Sequence, residues 1–467
     1  RYIGDWSSDV CSSDLSDTIN NKSVSNINAP IVRIQYENNM LEAFLVESEY
    51  SEEELKNIFK ALKRKRKFAL LGENKIIDLD NPEAMEFYQT IKDLRINESK
   101  PLERYTLPVY QAVKAYAHSN NCEIDEYLEN MVNEISTYKD SNILLPKVDA
   151  KLRDYQVSGY KWLSVLKKYH MGGILADDMG LGKTLQIITL ILADLEKRPS
   201  LVVCPKSLIF NWKTEFNKFA PSLIVKEIYG NQAERRDVIS NISEDEKVIY
   251  IISYDSLGRD IEFIKQGFNF LILDEAQAIK NVNAKKSVNV KIIKASYRYA
   301  LTGTPIENNV IDLWSIFDFL MPQYFEDLSA FKSRYLHDPN YTDSIAKKVA
   351  PFILRRTKKD VLKDLPPKFE RIVTCEMNNE QRKLYDSICN EAKDRLMIGG
   401  KAFDVLPLLT RLRQICIDPS MFLEDYFESS AKMELLEEII TEYLANSHRI
   451  LIDRKSTRLN SSHRCIS

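Results

Sequence analysis

Two short stretches constrain this 467-residue chain more than any others. In Gly172-Gly173-Ile174-Leu175-Ala176-Asp177-Asp178-Met179-Gly180-Leu181-Gly182-Lys183-Thr184 an apolar strand runs into a glycine-rich turn, then Lys-Thr at the mouth of a helix. In Leu271-Ile272-Leu273-Asp274-Glu275-Ala276-Gln277 a second apolar strand ends in adjacent carboxylates. Gly180 and Gly182 let the backbone curl so that amide N–H groups face a β-phosphate at a helix N-terminus. Lys183 then reaches the β- and γ-phosphates as a point charge, and the Thr184 hydroxyl ligates Mg²⁺. Asp178, Met179 and Leu181 complete the loop, which departs from the generic pattern because Asp177 stands where its first Gly is usual. Such a turn by itself also serves plain strand–helix packing. The Asp274-Glu275 pair decides between the two, since paired carboxylates after an apolar strand are costly without a cation or substrate. Asp274 is predicted to hold Mg²⁺ through water, and Glu275 to orient or deprotonate an attacking water. Lys183, Asp274 and Glu275 are therefore the candidate catalytic residues, with ATP and Mg²⁺ the implied cofactors.

The length suffices for two or three domains. A hydrophobic content of 44% with 28% charged residues is that of an ordinary soluble protein, and no apolar run approaches the roughly 20 residues of a membrane helix. A formal charge of −3 excludes a global polycation, so nucleic-acid contact would have to come from local patches. The seven cysteines form no CxxC pair, which argues for free thiols in a reducing compartment and against zinc or disulfides.

Both ends change character abruptly. Residues 1–15 and 453–467 are Ser-rich and aperiodic, and one DNA sequence that encodes the tail also encodes the head when its opposite strand is read in a shifted frame with one base added. The expectation is that both stretches are adapter-derived artefacts, with 16–452 the true fragment. Residues 16–30 look like a linker or a clipped strand edge, and 16–146 form a mixed α+β region. In it Ile31–Ile34 alternates like a strand, and Ser51 with Glu52–Glu54 opens a helix. Lys63–Lys67 is a basic run, more often a solvated face than a nucleic-acid contact. Phe68–Leu71 and Lys75–Leu79 flank a Gly-Glu-Asn turn as a hairpin. From Leu152 to Leu301, strands at Ile174–Ala176, Leu201–Val203, Ile224–Ile228, Val248–Ile252, Phe270–Leu273 and Tyr299–Leu301 alternate with helices such as Leu185–Leu195 and Leu208–Phe219. This predicts an α/β fold, a parallel sheet covered on both faces with its ligand at one strand-end edge. Residues 310–430 read as strandless helices with Trp314, Phe317, Phe319, Tyr335 and Leu384 in the core; Lys432–Leu444 is a helix and Arg449–Ile452 opens a strand.

Leu301-Thr302-Gly303-Thr304-Pro305 ends a strand, and its two hydroxyls suit a relay between a γ-phosphate and a polymer site. As a bare pattern it is only a turn. The Gln156 amide in Leu152-Arg153-Asp154-Tyr155-Gln156 could read an adenine edge; alone it would be a surface helix start. In this order these blocks resemble the SWI/SNF-type ATPases of helicase superfamily two. LRDYQ is similar to their adenine-reading motif, DDMGLGKT to motif I and DEAQ to motif II. Val202–Trp212 resembles motif Ia, Ile251–Leu257 motif Ib, and Leu301–Pro322 motif III with its family extension. Phe352–Lys368 and Leu409–Ser420 resemble blocks of that family absent from RNA helicases of the DEAD-box kind, and 31–146 looks more loosely like the helicase-associated region of bacterial members.

The resemblance implies a helicase-associated region at 16–146, a RecA-like ATP-binding lobe at 147–322, a helical family-specific region at 323–430 and the start of a second RecA-like lobe at 431–452. It implies a bacterial, cytoplasmic, nucleoid-associated translocase on double-stranded DNA that remodels bound protein, with no membrane partner. Backbone contact with DNA falls on Pro205, Lys206, Ser207, Ser253 and Tyr254, and coupling on Thr302, Gly303 and Thr304. Because such motors close two lobes on ATP and the second is expected to be missing, the fragment is expected to be nearly inactive alone. The alternatives are a nucleotide-responsive scaffold without productive hydrolysis and a strand-separating helicase.

Overall fold

The computed structural model describes residues 23–37, 40–46, 48–71, 75–116, 122–303, 310–339, 341–361, 369–397, 402–421, 423, 426 and 429–452. The head and tail expected to be adapter-derived, the hairpin's turn at 72–74 and Thr304 lie outside these residues. The chain divides into two compact units between Asp364 and Leu365.

The first unit begins with two small sheets. Strands β1 (Ser23–Asn26), β4 (Phe68–Leu71) and β5 (Lys75–Asp78) form one, ordered β1-β5-β4; β2 (Ile31–Glu37), β3 (Met40–Val46), β6 (Tyr105–Leu107) and β7 (Cys122–Ile124) form the other, ordered β6-β3-β2-β7. β4 and β5 are antiparallel, as the hairpin pattern requires, and the stretch read as a linker or strand edge supplies β1, parallel to β5. The helix Glu52–Lys63 starts at a complete capping box: Ser51 Oγ accepts from Glu54 N–H while the Glu54 carboxylate accepts from Ser51 N–H. Leu55, Ile58, Phe59 and Leu62 face the core at helical spacing. In the basic run, Lys63 pairs with Glu98 and Lys67 with Asp80 on the surface.

The main sheet contains β8 (Gly173–Leu175), β9 (Ser200–Cys204), β10 (Ile224–Ile228), β11 (Val248–Ser253), β12 (Phe268–Leu273), β13 (Ala295–Leu301) and β14 (Ile353–Leu354). Its order is β10-β11-β9-β12-β13-β8-β14 and every pairing is parallel. Every residue of β9, β11 and β12 is buried, which explains why these segments read as unbroken apolar runs rather than alternating ones. The helix Lys183–Ala193 buries Leu185 through Ile191 against this sheet, and Trp212 and Phe216 of the helix Ile209–Phe219 are likewise buried.

Two expectations are corrected. Residues 310–430 do contain a strand: β14 pairs with β8 beside the glycine-rich turn. A two-residue edge strand is too short for any period to mark. Arg449–Ile452 is not a strand among the described residues, and no ladder partner lies beside it to satisfy its backbone. Phe317 and Phe319 are fully buried as expected, whereas Trp314, Tyr335 and Leu384 are only half-buried.

The small-sheet region docks on the main lobe through polar anchors. Arg95 donates to the Gln323 and Phe325 carbonyls, and Tyr110 Oη donates to the Pro322 carbonyl at 2.6 Å. Lys348 Nζ meets Asp93 Oδ2 at 3.0 Å with both side chains about 5% exposed. The second unit is helical, with Asn379–Met397, Ala402–Ile417 and Ala431–Ala445. Its buried Gln381 ties the three together, donating to the Ile415 carbonyl and accepting from Ala431 N–H.

Lys348→Met removes the cation beside a buried carboxylate. The expected loss is about 3–5 kcal/mol, read from urea unfolding, with the paired substitution Lys348→Met/Asp93→Leu recovering most of it.

Candidate nucleotide and magnesium site

The strand order decides what meets at the C-terminal edge of the main sheet. β8 runs into the glycine-rich loop, β13 beside it into Thr302, and β12 beside that into Asp274-Glu275. The two halves of the predicted site thus lie two strands apart, with the Thr302-Gly303 turn between them, where parallel α/β sheets bind ligands.

The loop leads into the helix Lys183–Ala193 through Gly182, whose φ of 76° lies in the left-handed region. A Cβ on Gly182 would also stand 2.5 Å from Gln156 Nε2. Leu181 is buried, Asp178 half-buried, and Met179 and Gly180 are exposed at the loop's tip. Lys183 Nζ donates to the Asp177 carbonyl at 2.8 Å, folded back along the loop where phosphate oxygens would otherwise accept from it. Gln156 packs beneath the loop rather than projecting from it. Its Oε1 accepts from Arg153 N–H at 2.9 Å and its Nε2 donates to the Leu181 carbonyl at 3.2 Å. One N–H and one lone pair of the amide remain for another group.

Asp274 is 9% exposed. Trp212 Nε1–H donates to its Oδ2 at 2.8 Å, Glu275 N–H donates to its Oδ1 at 2.9 Å, and Tyr254 Oη donates to its carbonyl at 2.9 Å. Burial pushes the Asp274 carboxyl up and Glu275 adds to this, opposed by the Trp212 hydrogen bond and by Lys183. Glu275 adopts a left-handed backbone with φ 51°, an uncommon conformation for a side chain of its size and one that marks functional turns. A carboxylate that the sequence did not single out completes the cluster. Glu215 on the helix Ile209–Phe219 accepts from Asn211 Nδ2 at 3.3 Å, and burial, with Asp274 adding to it, pushes its carboxyl up. Trp212 and Glu215 lie three residues apart on one helical face, a spacing legible in the sequence but without meaning until β12 is placed beside that helix.

The residues present fit a divalent cation. Burial and mutual repulsion leave negative charge at Asp274 that a cation would relieve. Among the described residues no cluster of three or more His, Cys, Asp or Glu side chains has metal-holding geometry, so a metal here would rest on Thr184, Asp274, water and phosphate oxygens. That is the sparse, phosphate-dependent coordination Mg²⁺ favours.

Gln277 links the carboxylates to the next turn. Its Nε2 donates to Glu275 Oε2 at 2.6 Å, and its Oε1 accepts from Thr302 Oγ at 2.9 Å. Thr302 and Glu275 are thereby joined through one amide, and Gly303 packs near Met179 of the loop. Further along the edge, Pro205 is half-buried, while Lys206 and Ser207 are exposed after β9. Ser253 ends the neighbouring strand β11 and Tyr254 follows it, with both side chains turned into the protein. Both are at most 3% exposed; the Ser253 hydroxyl caps the helix Tyr254–Asp260 and that of Tyr254 is bound to Asp274.

A parallel-sheet lobe with a glycine-rich loop, an acidic strand end and a linking Gln–Thr bridge has the architecture of the P-loop nucleotide-binding class. The SNF2-related domain profile matches residues 155–421 and the bacterial SNF2 helicase-associated profile residues 9–146, so the chain belongs to the SNF2 family of ATPases. An ATP-dependent helicase of Mycoplasma genitalium is 36% identical over 365 residues, covering 72% of this chain and 35% of that protein. One of Mycoplasma pneumoniae is 36% identical over 394 residues, covering 80% and 38%. The chain therefore spans little more than a third of either relative. The SWI2/SNF2 ATPase core of Sulfolobus solfataricus, solved with double-stranded DNA, is 36% identical, covering 66% of this chain and 67% of that one at a TM-score of 0.45.

Trp212→Phe keeps the packing and removes one N–H. Its expected effect is a roughly tenfold rise in the Mg²⁺ concentration needed to support ATP binding, measured by titrating Mg²⁺ at fixed ATP. A loss of affinity independent of Mg²⁺ would contradict the role given to this hydrogen bond.

Proposed function

We propose that the chain is the ATP- and Mg²⁺-binding half of a motor that translocates on double-stranded DNA and remodels protein–DNA complexes in the bacterial cytoplasm. The observation that carries this is the hydrogen-bonded path from Asp274 through Glu275 and Gln277 to Thr302, at the same sheet edge as the loop that carries Lys183. Lys183 would leave the Asp177 carbonyl for the β- and γ-phosphates. Thr184 and Asp274 would hold Mg²⁺, which when bound neutralises charge on the phosphates. Glu275, held by Gln277, is placed to orient the attacking water, and a change in its hydrogen bonding would reach Thr302 through one amide. Gln156 would offer its remaining donor and acceptor to adenine, and Thr304 would extend the coupling turn.

DNA contact is assigned to Pro205, Lys206 and Ser207, and to the backbone around Ser253 and Tyr254, since phosphates are read without regard to sequence. Support comes from a relative named for its association with a TATA-binding protein: the TATA-binding protein-associated factor mot1 of Schizosaccharomyces pombe, 38% identical over 348 residues, covering 64% of this chain and 18% of that protein. A protein displaced from DNA by this motor is part of the same proposal. Because the family resemblance places opposing arginines on a second lobe, we expect these 467 residues alone to bind ATP with little turnover.

Lys183→Ala and EDTA should each weaken ATP binding by at least about tenfold, as expected for removal of charge-assisted phosphate contacts; binding indifferent to both would contradict the site. Lys206→Ala should weaken duplex binding uniformly across sequences and lower the slope of log affinity against log salt by about one. An unchanged slope removes Lys206 from the interface. Vigorous duplex-stimulated hydrolysis by the chain alone would contradict its dependence on a second lobe, and strand displacement by the gene product carrying it would favour an unwinding helicase over a translocase.

A further inference from the structure

The Phe352–Lys368 block has no part in the site so far, yet its first residues lie against the phosphate loop. Ala176 N–H donates to the Leu354 carbonyl at 2.7 Å, extending the β8–β14 ladder into the loop, and Asp178 N–H donates to the Arg356 carbonyl at 3.0 Å. Lys358 N–H donates back to Asp178 Oδ2 at 2.9 Å. Between these backbone contacts sits a buried ion pair. Arg356 Nε donates to Asp177 Oδ1 at 2.8 Å and Arg356 Nη2 donates to Asp177 Oδ2, a two-pronged fork on a carboxylate with no exposure. Gln186, also fully buried, closes the network: its Oε1 accepts from Arg356 Nη2 at 2.7 Å and its Nε2 donates to Asp177 Oδ2 at 3.2 Å. Arg356 Nη1 donates to the Tyr155 carbonyl, next to Gln156. Gly159 leaves room for this, since a Cβ there would meet Gln186 Oε1 at 1.8 Å.

We propose that Arg356 is a positioning residue for nucleotide binding: through Asp177 and Gln186 it holds the phosphate loop in its anion-receiving shape. This rests on the loop being the nucleotide site. Asp177 is the residue that breaks the generic loop pattern, and it also carries the carbonyl to which Lys183 returns. Its fully buried carboxylate is matched by the two-pronged Arg356 fork. The loop's shape in this chain is therefore set by a residue 179 positions away, two residues past the last strand before the second unit. Only when β14 is docked on β8 is the fork in place, so nucleotide affinity is tied to that docking.

The test uses the whole chain with Mg·ADP as probe and compares wild type with Asp177→Asn/Arg356→Gln, which removes both charges together and so avoids stranding either. In the nucleotide-free protein, amides 178–184 are expected to exchange with solvent at least about tenfold faster, while those of β9, β11 and β12 are unchanged. Mg·ADP affinity is expected to fall about tenfold, in proportion to the lost population of correctly shaped loop. Arg298→Gln, which removes a half-buried arginine bonded to the Phe319 and Ile293 carbonyls, is expected to lower the melting temperature without changing ADP affinity. If the double variant's loop exchange stays at the wild-type rate, or its affinity stays within about twofold of a binding wild type, the positioning role is overturned. A wild type that binds no nucleotide would overturn the nucleotide reading instead, leaving the exchange comparison to decide the clamp.

Discussion

The buried Arg356–Asp177 ion pair is the contact on which the site's geometry depends. Charges this deep are tolerated only when forked and fully hydrogen-bonded, and here the fork, Gln186 and the Tyr155 carbonyl supply those bonds. It fastens β14 to β8, fixes the residue that opens the phosphate loop and sets the depth of the helix Lys183–Ala193 against the helix Asp154–Lys168. The Lys183 ammonium and the Gln156 amide both contact this assembly rather than each other.

Along the strand-end edge the order β11, β9, β12, β13, β8, β14 places Ser253, Pro205, Asp274, Thr302, Asp177 and Arg356 in a row. The proposed chemistry occupies the middle of that row. Helix Ile209–Phe219 contributes Trp212 to Asp274, so the segment leading from the proposed DNA-facing turn is also a wall of the proposed metal site. Gln277 bridges to Thr302 on the other side. A displacement of the helix Ile209–Phe219 or of the Thr302 turn therefore bears on the carboxylates through hydrogen bonds, not through distance alone.

Much of this was legible in the sequence, for definite physical reasons. β8, β9, β11 and β12 announce themselves because burial on both faces leaves nearly uninterrupted apolar runs, and the loop and acidic pair because their chemistry needs fixed residue types at fixed spacing. Strand β14 was not legible, since two residues carry no period. Nor were Trp212 and Glu215, which look like an ordinary amphipathic helix until β12 is beside them. Ser253 and Tyr254 were placed on the DNA-facing side by resemblance, whereas their burial depends on the packing of β11 against the helix that follows it. Asp177 was visible as an irregularity in the loop, and its explanation required a partner far along the chain.

Hydrogen exchange with and without Mg·ATP tests most directly whether the loop and the acidic strand end form one nucleotide site. Protection is expected at amides 178–184 and 274–275, with a smaller effect reaching 302–303 and none on the outer strands of the two N-terminal sheets. Protection confined to another surface, or none at saturating Mg·ATP, would contradict the account.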